Sequence, residues 1–236
     1  MEDNEKSLES RKQELSNKYG INFEKLEEEQ IKLAKDLEIH DKIDFKLTES
    51  FGAIDNIFIK NKILSCITVC DKDFEVIDRA YFYDKVKFPY FPGFRAYREL
   101  TAMVEAFERL SEKPDVVFIS GHGLIHPRLG LASHFGLVTG VPSIGVANSL
   151  IDCEVDGGDA SKDGADILKN GKKVGKVLIT KPGSNPMFVS PGNNITVKSS
   201  FDISRTLINL PHKRPEPMHL TGKYAKEVRK ELSGSE

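Results

Sequence analysis

Asp55, Glu99 and Ser120 occupy three positions at which a sheet-based site could gather oxygen ligands. Asp55 lies in the β-branched run from Gly52 to Ile59, Glu99 opens an amphipathic segment, and Ser120 ends the apolar run Asp115 to Ile119. Such an unbroken run marks a strand covered on both faces, and open α/β sheets bind ligands at the carboxyl ends of their strands. Carboxylates there can hold a hard divalent cation, which makes a nucleophile from water and stabilises charge on a phosphate and its leaving oxygen. An isolated strand aspartate is more simply read as paired with a lysine or a backbone amide.

A second group of residues suits binding. Pro89-Tyr90-Phe91-Pro92-Gly93 is stiffened by its prolines and carries two aromatic rings able to stack on a planar ligand. The plainer alternative is that Tyr90 and Phe91 cover the core at a turn. Gly121 and Gly123, in Ser120-Gly121-His122-Gly123, either admit a ligand close to the backbone or serve a tight turn. His122, His126 and His134 are unevenly spaced, which argues against zinc. His126 and Arg128 read as phosphate or turn contacts and His134 as a hydrogen-bonded helix residue. A Ser120–His122 nucleophilic pair lacks an evident third member.

The elements that must position these groups are legible from periodicity. Gly52 to Ile59, Ile63 to Val69 and Val76 to Tyr83, joined by short polar links, predict an antiparallel meander. Leu100, Met103, Val104, Phe107 and Leu110 repeat at helical spacing and place Glu99 beside the buried face. Leu131, Phe135 and Val138 predict a further helix before a buried strand, Pro142 to Ala147. Ile151 to Gly171 reads as a loop or hairpin, and strands resume over Lys173 to Thr180 and Met187 to Ser190. The organisation expected is a charged helical extension over 1–45, a main domain over 46–220 and a charged tail over 221–236.

Composition narrows the class. With 236 residues, 39% of them hydrophobic, the chain can bury a sizeable core, and a net charge of −2 excludes the bulk basicity of a nucleic-acid coat protein. Nucleic-acid contact must then be local; the cluster Lys172, Lys173, Lys176 and Lys181 is the sort of feature that could provide it, although a solvated face is the simpler account. Three cysteines without metal or disulfide spacing imply a reducing compartment. No run is long and apolar enough for a membrane span, so a cytoplasmic location without membrane contact is expected; the oligomeric state is left open.

The strings PYFPGFRAYRE (89–99) and Ser120-Gly121-His122-Gly123 resemble the endonuclease V family, and the likeness runs in order from about Gln30 to Pro217. It implies an α/β, ribonuclease H-like fold, a mixed sheet in which an antiparallel meander is followed by parallel strands, flanked by helices. It also implies a protein that acts on DNA or RNA near deaminated adenine (inosine or deoxyinosine) or distorted structure, with Mg2+ or Mn2+ as cofactor.

Carried over residue by residue, the resemblance assigns Asp55 and Glu99 to the metal and position 120 to a third carboxylate, since the family reads Asp-Gly-x-Gly there. At an effective dielectric of about 20, a carboxylate 4 Å from a divalent ion contributes roughly 8 kcal/mol before desolvation, nearly all of which serine forfeits. Asn148 stands where the family has a lysine after Gly-Val-Ala, and Asn193 where it has a histidine after Ser-Pro-Gly. Both departures remove a basic group that could stabilise charge or move a proton. Pro89, Tyr90, Phe91, Pro92 and Gly93 correspond to the family's strand-separating wedge, and Gly121, His122 and Gly123 to its pocket for the altered base. The expectation is recognition of such nucleic acid with cleavage weakened or lost. The alternative is an active Mg-dependent endonuclease cutting 3′ of deoxyinosine or inosine in DNA repair or RNA processing. A protein-interaction role for the first helix is a third reading.

Overall fold

The computed structural model describes residues 2–234. The expected meander is present as β1 (Phe51–Ile59), β2 (Lys62–Cys70) and β3 (Val76–Lys85), with Ile59 opposite Lys62 across a tight turn. β4 (Val116–Ser120) and β5 (Ser143–Ala147) add to β1 in parallel. The sheet then reverses: β9 (Met187–Asn193) runs antiparallel to β5, followed outward by β8 (Lys172–Leu178), β7 (Asp166–Lys169) and β6 (Glu154–Val155). The order across the nine strands is β3-β2-β1-β4-β5-β9-β8-β7-β6.

Helices cover both faces, and the alternation of strand side chains decides which residue meets which helix. On one face Ile54, Ile67, Val117 and Ile119 pack under α3 (Arg95–Glu108) and α4 (Leu131–Thr139). On the other Ala53, Phe118, Ile144 and Val189 meet α5 (Val197–Thr206) and the first turns of α6 (Glu216–Gly234). The charged tail expected beyond 220 is instead the body of α6. Ala225 and Val228 are buried on Leu64 and Cys66, and Thr221 Oγ1 donates to the Ala53 carbonyl at 3.0 Å. Charge along 221–234 marks the solvent stripe of a packed helix, which a composition-based reading mistakes for a tail.

The amino-terminal helices pack on the main domain, the simpler of the two accounts of a charged helical extension. α1 (Glu2–Tyr19) and α2 (Phe23–Leu33) lead to a polar turn in which Asp41 accepts from the Thr196 amide and the Ser199 hydroxyl, capping α5. Phe23 is buried among Phe91 and Phe94, with ring centroids 4.9 and 5.0 Å away, and Tyr97 Oη donates to the Leu26 carbonyl at 3.0 Å. No helix among the described residues is long and apolar enough to cross a membrane.

Candidate active site and nucleic-acid pocket

β1 and β4 run parallel with Ile54 opposite Ile119, so Asp55 and Ser120 sit side by side at the carboxyl end of β4, and Ser120 neighbours Val146 on β5. Asp55, Asn56, Arg95 and Ser120 line a cavity of about 60 Å3 closed by Ile54, Ile119, Met103 and Leu131. Asp55 and Ser120 are therefore neighbours, Glu99 lies behind Asn56 and Arg95, and the two carboxylates have different partners.

Glu99, 2% exposed on α3, meets Asn56 rather than Asp55: Asn56 Nδ2 donates to Glu99 Oε2 at 2.9 Å. Arg95, one turn earlier on the same helix, grips Glu99 with two prongs, Nε to Oε1 and Nη2 to Oε2, both at 2.8 Å. The guanidinium also reaches the Ser120 carbonyl from both terminal nitrogens at 3.4 Å. Burial by itself would lower the basicity of Arg95; the hydrogen bond to Glu99 and its charge overcome this and hold the arginine above its ordinary range. A planar cation thus spans the gap between the Glu99 carboxylate and the end of β4. Asn56 Oδ1 is buried without a donor among the described residues.

Asp55, one residue earlier in β1, has the parity of Ala53 and lies on the α6 side. A Cβ at Gly222 would stand 3.8 Å from Asp55 Oδ2. Desolvation raises the Asp55 carboxyl above its usual range; Arg214 and the Asn56 amide oppose the rise, Glu99 adds to it, and Lys226 lowers it slightly. Asp55 and Glu99 feel each other's charge, while each is faced by a cation of the chain itself.

A second cavity, about 250 Å3, opens alongside and shares Arg95 with the first. Its wall includes Tyr90, Pro92, Gly93, His122, His126 and Ser149. The volume falls just below the roughly 300–1,000 Å3 typical of small-molecule sites and suits a single heterocycle. Tyr90, 52% exposed, stands at its mouth. His122 Nε2 lies 2.8 Å from the Ser149 carbonyl, and burial lowers its basicity, with the Ser149 contact opposing and Arg95 adding to the fall. His126 is pushed down to about 3 by burial, helped by the charges of Arg128, His122 and Lys169; its Nδ1 accepts from the Arg128 amide at 3.1 Å. It is a neutral residue of the cavity wall, part of the turn to Arg128.

Several sequence-predicted residues part from this group. Phe91 is 7% exposed and faces Phe23 and Phe94, so only Tyr90 of the aromatic pair is presented at the cavity, and Pro89 lies outside its lining. Gly123 and Gly121 serve packing: a Cβ on Gly123 would lie 2.0 Å from the Pro191 carbonyl, and one on Gly121 would press on Arg95 and Leu131 at 3.4 Å. Asn148 follows β5 at the site end and is exposed. Asn193 lies at the other end of β9, paired with Ser143 and hence level with Val117, remote from Ser120. It is 5% exposed; its Oδ1 accepts from the Glu38 amide at 2.8 Å and its Nδ2 donates to the Gly136 carbonyl at 3.3 Å. Because β9 is antiparallel to β5, its last residue falls at the first residue of β5, which corrects the assignment of Asn193 to the phosphate neighbourhood.

Sequence reasoning missed Arg95, Arg214, Gly222 and Gln30. Arg95 had a usable signal, four residues before Glu99 on one helix face. Gln30, 1% exposed on α2, donates to the Gly93 carbonyl at 3.0 Å and accepts from Arg128 Nε at 2.7 Å. Gly93, with φ of +81°, has Arg128 so close that a Cβ would lie 2.7 Å from Nη2. Lys173 and Lys176 of the basic cluster are both engaged by Asp166.

Comparison with known proteins adds the following. A family model described as endonuclease V matches residues 31–223. The endonuclease V of Dictyoglomus turgidum is 36% identical over 207 residues, covering 86% of this chain and 88% of the relative. The crystal structure of endonuclease V from Bacillus subtilis superposes with a TM-score of 0.82 at 26% identity, covering 92% of this chain and 95% of that one. Endonuclease V of Ciona intestinalis, in complex with a 24mer DNA containing an inosine followed by a ribo-adenosine, superposes with a TM-score of 0.79 at 22% identity, covering 89% and 98%.

Proposed function

The chain belongs to the endonuclease V family with its ribonuclease H-like fold, and on that premise we propose that it recognises nucleic acid containing inosine or deoxyinosine, or otherwise distorted, while cutting it weakly or not at all. The observation that carries this reading is Arg95. Both Glu99 oxygens are taken by its guanidinium and by Asn56, and position 120 offers only a neutral hydroxyl and a carbonyl already facing the same cation. Asp55 is turned to α6, where Arg214 and Lys226 act on it. Tight binding of Mg2+ or Mn2+ does not fit this donor set, because a hard dication needs free, convergent carboxylate oxygens.

Recognition has the better support. A base extruded from its stack would enter the 250 Å3 cavity between Gly93 and His122, with Tyr90 stacking in the space left behind. His122 and Arg95 supply polar contacts to its edge. The free cysteines, Cys66 and Cys70 among them, accord with the cytoplasmic setting we assign.

A second reading, an active nuclease cutting 3′ of the altered base, is favoured by the presence of both Asp55 and Glu99 and by the unpartnered Asn56 Oδ1. One experiment separates the two. Inosine-containing and adenine-containing duplexes and single strands are incubated with the protein in Mg2+ and in Mn2+, and retention and nicking are scored independently. Retention that prefers inosine without nicking supports the proposal; catalytic turnover in either metal overturns it.

A further inference from the structure

We propose that His212, Glu216 and His219 form a site for a zinc-class divalent ion, separate from the Asp55–Glu99 locus. Their donor atoms all lie within 4.8 Å of one another, at the junction of a short loop and the start of α6. Glu216 is 4% exposed, and a buried carboxylate requires a cation or strong donors. It has His212, whose Nδ1 lies 2.7 Å from Glu216 Oε2. His219, one turn further along α6, stacks on His212 with ring centroids 3.5 Å apart and planes inclined by 13°. Two imidazoles and a carboxylate are a borderline nitrogen and oxygen set suited to Zn2+ and its neighbours rather than Mg2+.

The geometry is close to, but short of, a closed site. Zinc bonds of about 2.0–2.1 Å in a tetrahedron set donors about 3.3 Å apart, so the widest pair must close by at most about 1.5 Å. Parallel rings cannot both direct a lone pair at one ion, so one ring must turn out of the stack. Both imidazoles are half-buried, which leaves them room to turn and leaves water a path to a fourth position.

The frame is tied on either side. Ile208 and Pro215 form an isolated bridge, and the Glu216 amide donates to the Leu207 carbonyl at 2.7 Å. An ion held by His212 and His219 would clip this loop to α6. The loop also carries Arg214, whose charge acts on Asp55.

The test uses the full chain, freed of metal by a chelator and then titrated with Zn2+ against a competing indicator and with Co2+ by visible absorption. One equivalent of Co2+ with the intense bands of a tetrahedral ion is expected. His212→Gln and His219→Gln should each lower Zn2+ affinity about tenfold or more, the loss that removal of even an outer partner can produce. Asp55→Asn and Cys153→Ser should leave it unchanged, so the result stands apart from the fate of the proposed nucleic-acid function. Equal affinity in the wild type and either folded histidine variant, folding being checked by circular dichroism, would overturn the site, as would loss of binding in Asp55→Asn or Cys153→Ser.

Discussion

Arg95 and Glu99, one helical turn apart on α3, are joined by two parallel hydrogen bonds of 2.8 Å, and the same guanidinium extends to the carbonyl of Ser120. The chain therefore supplies its own cation at the locus where a divalent ion is expected of the family. Arg95→Met keeps the bulk and deletes the charge. It leaves Glu99 buried without its main partner, and a buried pair broken on one side loses about 3–5 kcal/mol, discounted here to about 1–3 because the Arg95 side chain is 40% exposed. The variant should unfold at a lower temperature than the wild type and recover part of the difference in Mn2+. A wild type stabilised by Mn2+ as strongly as the variant would contradict the account.

Ser120→Asp alone should fail to create a tight metal site, because Arg95 still holds both Glu99 oxygens and reaches the carbonyl at position 120. Combined with Arg95→Met, it should give saturable Mn2+ binding by calorimetry. Gly222→Asp, placed near Asp55, should strengthen that binding further. Tight Mn2+ binding by Ser120→Asp alone would show that Arg95 is no obstacle.

Tyr90 and Phe91 are adjacent but should separate cleanly. Tyr90→Ala should weaken retention of an inosine-containing strand by roughly 1–3 kcal/mol, the worth of one stacked base, with little change in unfolding temperature. Phe91→Ala empties a place among Phe23 and Phe94 and should cost about 3–5 kcal/mol of stability. Denaturant unfolding and filter retention on both variants check the split; equal binding by Tyr90→Ala and the wild type would remove Tyr90 from the interface.

How much of this was legible in advance differs by element. The meander, β4, β5 and the Glu99 helix followed from apolar periodicity, because each is a local pattern read against a buried face. The reversal of sheet direction at β9 was not, since strand direction depends on a partner distant in sequence, and a motif correspondence such as that of Asn193 does not say at which end of the sheet the residue falls. Asp55 and Glu99 stand out through the resemblance to the family and the order of their elements, whereas their separation onto Asn56, Arg95 and α6 required the register. Gln30 looked like an ordinary polar residue on a charged helix until Arg128 and Gly93 met it.

Asn193→Ala should therefore act on stability and not on recognition. It orphans the Glu38 amide, for about 1–3 kcal/mol, while the Gly136 carbonyl keeps the Gly140 amide as a donor. Chemical denaturation should report that loss while inosine retention is unchanged; the reverse pattern would return Asn193 to the site.

His126 predicts an acid response. Its ordinary value is 6.5 and the folded chain holds it near 3, so the unfolded chain takes up the proton first. Its contribution is intact above pH 6.5 and is lost as pH falls from there towards 3, by an amount on the order of 5 kcal/mol over the whole interval. His126→Gln should flatten this part of the stability profile, measured by urea unfolding at several pH values. An unchanged slope would rule His126 out as its source.

Gln30 stands just before residue 31, where the match to the family begins, and Phe23 stands further back still. Yet these two side chains buckle the Tyr90 loop to the strap carrying Arg128. A chain trimmed to the matched span would keep every residue lining the Tyr90 cavity and lose the Gln30 and Phe23 contacts that fasten it, so residues ahead of that span help set the cavity's shape.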